Sequence, residues 1–439
     1  MRAKALVTVA LGALSVGLTL LAVGCSGGRD GVIRIGVIAD CEGSFSFTFE
    51  SALAGAELPL VDRGARLRGT KPSDGIEGAS VAGKRVELLF GCDRSTRAST
   101  IAELRRLVEQ EGANAVVGLG ISHEGLVMRD YAKHQPAVTF VYAGIDQSTT
   151  LKDPSPNVFR FRPGPAQWAA GLGAYAYREL GWRSAVTISE DDFFGWTSVA
   201  GFVAEFCSLG GNISQRRWFL ADPNFKFARL VSTIPKGIDG AFVTDGLFDT
   251  HSFVEAWGAR HHNLARSLVT EDNLLGENPN DPRLLGVVAA NTSPWADTSR
   301  WTRYTADFVQ AFPKLQAPDS VPYFEAMEAL LEALARVHGD LSHRERGLMA
   351  ALAKLRFDSP EGPYRVDSRH QAVTPIYLGR MQRDANGKLV VRQTRLVPNV
   401  EQTFGGYFSG TTPAPSRTQP TCRHGHPPAW TRYRVRSTK

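Results

Sequence analysis

The chain has 439 residues, 43% of them hydrophobic, and a formal net charge of +6 at pH 7. That length and apolar content can fill two or three packed domains. The positive charge is not a global field that would draw the chain to nucleic acid. Arg417, Arg423, Arg432, Arg434, Arg436 and Lys439 all lie in a final segment without Asp or Glu, and once Arg2 and Lys4 are also set aside the body is slightly acidic.

At the start, Arg2 and Lys4 precede an apolar run from Ala5 to Val23 that leads through Gly24 into Cys25. A basic segment, an apolar segment and small residues before a cysteine resemble a bacterial lipoprotein signal, with residues 1–24 removed and Cys25 becoming the lipidated N-terminus. The alternative is an uncleaved membrane helix, since the run is long enough to span. Both readings place the rest of the chain outside the cytoplasmic membrane.

The next elements alternate. Ile33 to Ala39 is short, apolar and β-branched, and Ser51 to Leu58 is helix-forming. Val86 to Phe90 reads as a strand, and Thr100 to Gln110 as a helix with Ile101, Leu104, Leu107 and Val108 on one face. Strands follow at Ala115 to Val117 and Ala137 to Tyr142, then a helix from Gln167 to Leu180, a strand from Ser184 to Ile188 and a helix from Thr197 to Leu209. Gly240 to Val243 and Ser267 to Thr270 are further strands. Such alternation gives a mostly parallel sheet with helices on both faces, whose ligands bind beyond the carboxyl ends of the strands. The pattern runs twice, over about 32–160 and 165–285, joined by Phe159-Arg-Phe-Arg-Pro-Gly164. Later come an amphipathic helix, Tyr323 to Arg336, a turn-rich stretch, Asp358 to Pro363, and a hairpin signal at Asp384-Ala-Asn-Gly387. The Pro-, Thr- and Arg-rich tail after residue 410 reads as irregular, either solvated or touching anionic lipid or wall polymer.

The cysteines beyond Cys25 are Cys41, Cys92, Cys207 and Cys422, an even set that suits an oxidising compartment. Cys41 and Cys92 each follow a strand, and two adjacent parallel strands would bring them together as a disulfide. Cys207 lies in an apolar helical pattern and either pairs with Cys422, tethering the tail, or is a buried thiol. No CxxC or HExxH occurs, and His261-His262 lacks a partner at ligand spacing, so neither a structural metal nor a cofactor is expected.

Val32 to Ile38, Val81 to Phe90 with Cys92-Asp93, and Leu107 to Gly118 resemble the opening of branched-chain amino-acid binding proteins, the type I periplasmic solute-binding receptors of ABC importers. Asp191-Asp-Phe-Phe-Gly195 and Gly362 to Asp367 extend the resemblance to about residue 395. It implies an α/β fold of two similar lobes, each a mostly parallel sheet with helices on both faces, joined by three crossovers. Lobe one would be 30–160 plus 288–356, lobe two 161–287 plus 357–410, and 411–439 a tail outside the pattern. The implied function is that of a lipid-anchored monomer that traps a small-molecule solute, an amino acid or a related compound. It would deliver the solute to permease subunits in the membrane, with no cofactor and no nucleic-acid partner. A sensor or interaction lipoprotein of the same build is the alternative.

Site residues follow from the same resemblance. A ligand carboxylate would meet Ser122 and backbone N–H groups near His123 and near Tyr142-Ala-Gly144, although Gly144 stands where the family carries a hydroxyl. A ligand ammonium would meet Glu271 or its neighbour Asp272. Phe194 and Phe248 stand where aromatic hydroxyls are usual, so with Tyr142 and Phe45 or Trp196 the pocket would suit an apolar or aromatic group. Each residue has a plainer role open to it: Ser122 as a helix N-cap, the acids as solvated loop groups, the phenylalanines as core, His123 as a loop histidine. Gly120-Ile-Ser-His-Glu-Gly125 misses the G-x-S-x-G spacing by one residue and no phosphate-cradling motif occurs, so no enzyme is expected.

Overall fold

The computed structural model describes residues 31–43, 45–220, 222, 225–244, 250–295 and 298–432. The signal segment, Cys25 and Phe248 lie outside the described residues. Two sheets organise the chain. In the first, strands run in the order Ser80–Val81, Lys84–Asp93, Val32–Asp40, Ala115–Gly118, Thr139–Tyr142 and Val158–Phe159, parallel throughout except for the short first edge. Val32–Asp40 is central and buried on both faces, which is why its sequence is a continuous apolar run rather than an alternating one.

The second sheet orders Asn212–Phe219, Ser184–Glu190, Gly240–Thr244, Leu268–Glu271 and Val288–Asn291 in parallel, then continues antiparallel through Ala372–Arg383 to Gly362–Val366 and Arg356–Ser359. Leu389–Val400 pairs with Ala372–Arg383. The turn between them is closed by the Asp384 carboxylate, which accepts from the N–H groups of Asn386 and Lys388 at 2.8 and 2.9 Å, with Gly387 at φ 81°.

Three crossovers join the lobes: Phe159 to Gly164, the stretch after Asn291, and the return near 356–372. At the first, Arg160 N–H donates to His370 C=O at 2.9 Å and Ala372 N–H to Arg160 C=O at 2.8 Å, so two crossovers lie side by side. The expected boundaries need two corrections. Val288–Asn291 is a strand of the second sheet, so the crossing to lobe one falls after 291. Phe357 and Tyr364, expected in lobe two, bury their side chains in the core of lobe one while their strands run on from the second sheet. The helix Ala317–Arg336 packs against Phe49–Val61 in that core, where Gly55 lets the Ser320 carbonyl approach; a Cβ there would lie 2.2 Å from it.

The single helix expected over 167–180 is broken into Pro165–Trp168 and Leu172–Arg178. Gly171 adopts φ 91° at the break, and a Cβ there would lie 2.6 Å from Val397. The strand Asn212–Phe219 has no counterpart in the sequence reading, because an edge strand carrying Gln215, Arg216 and Arg217 lacks the apolar run that marks the others.

Both cysteine pairs are bridged, Cys41 to Cys92 and Cys207 to Cys422, with Cα atoms 5.2 and 5.4 Å apart. The first fastens the ends of adjacent parallel strands; neither of its cysteines retains a thiolate beside Glu42 for a metal. The second corrects the picture of a loose tail. Residues 411–428 are irregular but lie on lobe two, with Trp430 in its core, Tyr407 donating to Thr421 C=O at 2.7 Å, and Arg417 paired with Asp191. Among the described residues no helix is long and apolar enough to cross a membrane.

Candidate functional site

Most of the expected residues lie at or just after the carboxyl ends of strands in the two sheets. On lobe one, Ser122 is the first residue of the helix Ser122–Ala132, with Ile121 in the capping position, so its hydroxyl is not spent as an N-cap. It is half-buried and forms no side-chain hydrogen bond to a described residue. His123 beside it is exposed.

Tyr142 is placed otherwise than expected. It is fully buried and donates its hydroxyl to Ile121 C=O at 2.8 Å, so it is part of the scaffold beneath Ser122 and not a cleft wall. Its ring also explains Gly144. A Cβ at 144 would lie 2.4 Å from that ring, and one at Gly125 2.6 Å. The hydroxyl-bearing residue usual at 144 is replaced because the tyrosine occupies its space.

A group of acids here escaped the sequence reading. Asp40 and Asp93 are register partners on neighbouring strands, and Glu124 comes to them from the helix. Glu124 accepts from Ile121 N–H at 2.9 Å; burial, then Asp40, pushes its carboxyl up to about 10. Asp40, raised chiefly by burial, accepts from Ser95 Oγ at 2.6 Å, and Asp93 from Thr100 Oγ1 at 2.7 Å. Residues 40, 93 and 124 are too far apart in sequence for any spacing rule to join them.

On lobe two, Glu271 ends the strand Leu268–Glu271 and is buried, with its two oxygens accepting from Ser198 Oγ and, at 2.6 Å, Thr244 Oγ1. Burial pushes its carboxyl up to about 7. Glu271 is thus tied to its own lobe through both oxygens, each of which keeps a second lone pair, and Asp272 follows it directly. Asp272 is half-buried at the start of the next helix and is raised to about 6 by burial, opposed by backbone N–H groups and aided by Glu361.

Phe194 lies at the start of Phe193–Ser208, whose N-cap Asp192 accepts from Gly195 N–H at 2.8 Å. It is half-buried and meets Trp168 edge to face, ring centroids 5.6 Å apart. Trp196 is held aside by its indole N–H donating to Asp191 at 3.0 Å. Phe45 sits in the loop after the first strand of lobe one, beside exposed Phe47.

Between the lobes lies Arg162, on the first crossover. Its neighbour Phe161 points into lobe one's core against Phe357, whereas the Arg162 guanidinium lies 5.4 Å from the Trp168 ring centroid. Tyr142, Glu361 and Glu325 all act on its charge, while burial lowers its pKa. The alternation Phe-Arg-Phe-Arg over 159–162 is the signal in the sequence that could have drawn attention to it.

Two lobes joined by paired crossovers, each with half-buried polar or aromatic groups beyond its strand ends, define a two-lobed binding protein for a small solute. The chain belongs to the periplasmic binding protein family, whose profile matches residues 32–388. It is similar in structure to an ABC transporter substrate-binding protein from Sphaerobacter thermophilus, with 21% identity, a TM-score of 0.72 and coverage of 84% of this chain and 99% of that one. A solute-binding protein of an ABC transporter from Rhodopseudomonas palustris BisB5, solved with 3,4-dihydroxybenzoic acid, is 20% identical with a TM-score of 0.70, covering 85% and 99%. A branched-chain amino-acid substrate-binding protein from Streptococcus pneumoniae, solved with isoleucine, is 16% identical with a TM-score of 0.62, covering 82% and 99%. No curated protein matches the chain in sequence.

Proposed function

We propose that this protein is an extracytoplasmic, lipid-anchored solute receptor that closes two lobes on a small molecule and hands it to the permease subunits of an ABC importer. The observation that carries this is Arg162 on a crossover beside the Trp168–Phe194 pair, its charge acted on by Tyr142 of lobe one and by Glu361, which in turn acts on Asp272 of lobe two. Closure needs contacts from both sides, because only then does the liganded cleft favour the shut state. The solute is an amino acid or a related small molecule with an apolar or aromatic part, for which the Trp168–Phe194 pair supplies a wall. Similar structures hold an aromatic acid in one case and isoleucine in another, which brackets that range. The receptor works as a monomer and catalyses nothing. Anchoring through Cys25 after loss of residues 1–24 suits a chain with two disulfides, which persist in oxidising compartments.

A thermal-shift screen against amino acids, amides, aromatic acids, short peptides and sugars tests this reading. One class is expected to raise the midpoint, since a ligand of the closed state alone stabilises by about 2.7 kcal/mol at a hundredfold excess over Kd. Silence across all classes would overturn it. The anchor is tested separately: Cys25→Ala should shift the protein from the membrane fraction to the soluble one.

A further inference from the structure

Arg162 stands on the first crossover, and its surroundings leave it uncommitted. It donates no side-chain hydrogen bond and forms no ion pair with a described residue; it lies against the Trp168 ring. The acids that face it are already engaged. Glu361 accepts from Thr292 Oγ1 at 2.9 Å, Ser293 Oγ at 2.7 Å and Tyr364 OH at 2.8 Å. Glu325, fully buried, accepts from Ser359. A planar guanidinium with five donors is built for bidentate pairing with a carboxylate. Here it is held against an aromatic face by cation–π attraction and left with its donors free.

The acids that would hold an α-ammonium are correspondingly weak. Both oxygens of Glu271 already accept from Ser198 and Thr244, so a ligand cation would have to share them with two fixed donors.

Resting on the solute-receptor reading above, we infer that Arg162 is the anion anchor of this cleft. It pairs with the carboxylate of an aromatic monocarboxylic acid whose ring lies along Trp168 and Phe194. Ser122, with its uncommitted hydroxyl across the cleft, is the second donor to the same carboxylate. Specificity for the acid is therefore set by a crossover residue, and lobe one contributes a single hydroxyl.

Titration calorimetry on the full chain in detergent tests this with matched probes: benzoate against benzamide, phenylacetate against phenylacetamide, and phenylalanine and leucine as amino acids. The acids are expected to bind and their amides to bind at least about 30-fold more weakly, the loss of a charge-assisted pair. Arg162→Gln should weaken the acids by about 30- to 100-fold and leave the amides unchanged, with Arg162→Lys in between. The acid-to-amide comparison uses the unaltered protein, so it stands even if Arg162→Gln folds poorly. Equal binding of acid and amide, or amino-acid binding that survives Arg162→Gln, would overturn the inference while leaving the receptor intact. If no solute of any class binds, the receptor reading itself falls and the inference with it.

Discussion

The two lobes meet the cleft in opposite ways. Lobe one presents a packed face: Tyr142 fills the space beneath Ser122, ties its hydroxyl to Ile121 and forces glycine at 125 and 144. Lobe two presents a half-open face, with Trp168, Phe194 and Asp272 only partly covered. The backbone around Ser122 and Gly144 is thus the more rigid and less adaptable part of this region. Variation in what is bound is carried by lobe two and the crossovers, where side chains can change without disturbing a core.

The contrast can be broken most directly at Gly144. Gly144→Ser restores the hydroxyl usual at that position, but its Cβ would enter the Tyr142 ring. Overpacking of this kind costs about 3 kcal/mol, so the thermal midpoint should fall by several degrees, and the double variant Gly144→Ser, Tyr142→Ala should cost less than the sum of its two single variants. An unchanged midpoint in the single variant would mean the lobe-one face is not packed as described.

Next in size is the response to pH. Glu271 has a folded pKa of about 7 against 4.5 unperturbed. Between those values the native state holds the proton that the unfolded state has released. Its contribution is therefore complete below about pH 4.5 and is lost as pH rises through about 7, by about 3 kcal/mol. The thermal midpoint should decline over that window, and Glu271→Gln should flatten the decline. Glu124, with a folded pKa of about 10, extends the fall to higher pH in lobe one.

Much of this architecture is written locally and some of it is not. The apolar β-branched runs at 33–39, 115–117 and 240–243 announce buried parallel strands because a strand covered on both faces has no polar side to show. The Cys41–Cys92 bridge followed from two such strands being neighbours. Residues whose role depends on a distant partner were illegible: nothing near Gly144 says that Tyr142 fills its place, and Asp40, Asp93 and Glu124 meet only through sheet register. Glu271 could be located but not understood, since its partners Ser198 and Thr244 come from other elements. The tail misled by composition: Pro, Thr and Arg suggest solvated chain, yet one tryptophan and one cysteine suffice to fix it to lobe two.

The smallest expected effects sharpen the comparison on the open side. Phe194 is half-buried and shares its contact with Trp168, so Phe194→Ala should cost about 1 kcal/mol of stability, well below Gly144→Ser. Phe194→Tyr should stay within about 0.5 kcal/mol, because a partly exposed ring can carry its hydroxyl into water. Solute affinity should respond in the reverse order to stability, with Phe194→Ala weakening binding more than its stability cost alone implies. His123→Ala, on an exposed side chain at the rim of lobe one, should alter neither the midpoint nor the affinity measurably. Thermal melts and calorimetry on these three variants compare the lobes directly. A His123 variant that loses affinity as Phe194→Ala does would place ligand contacts on the lobe-one rim and erase the asymmetry.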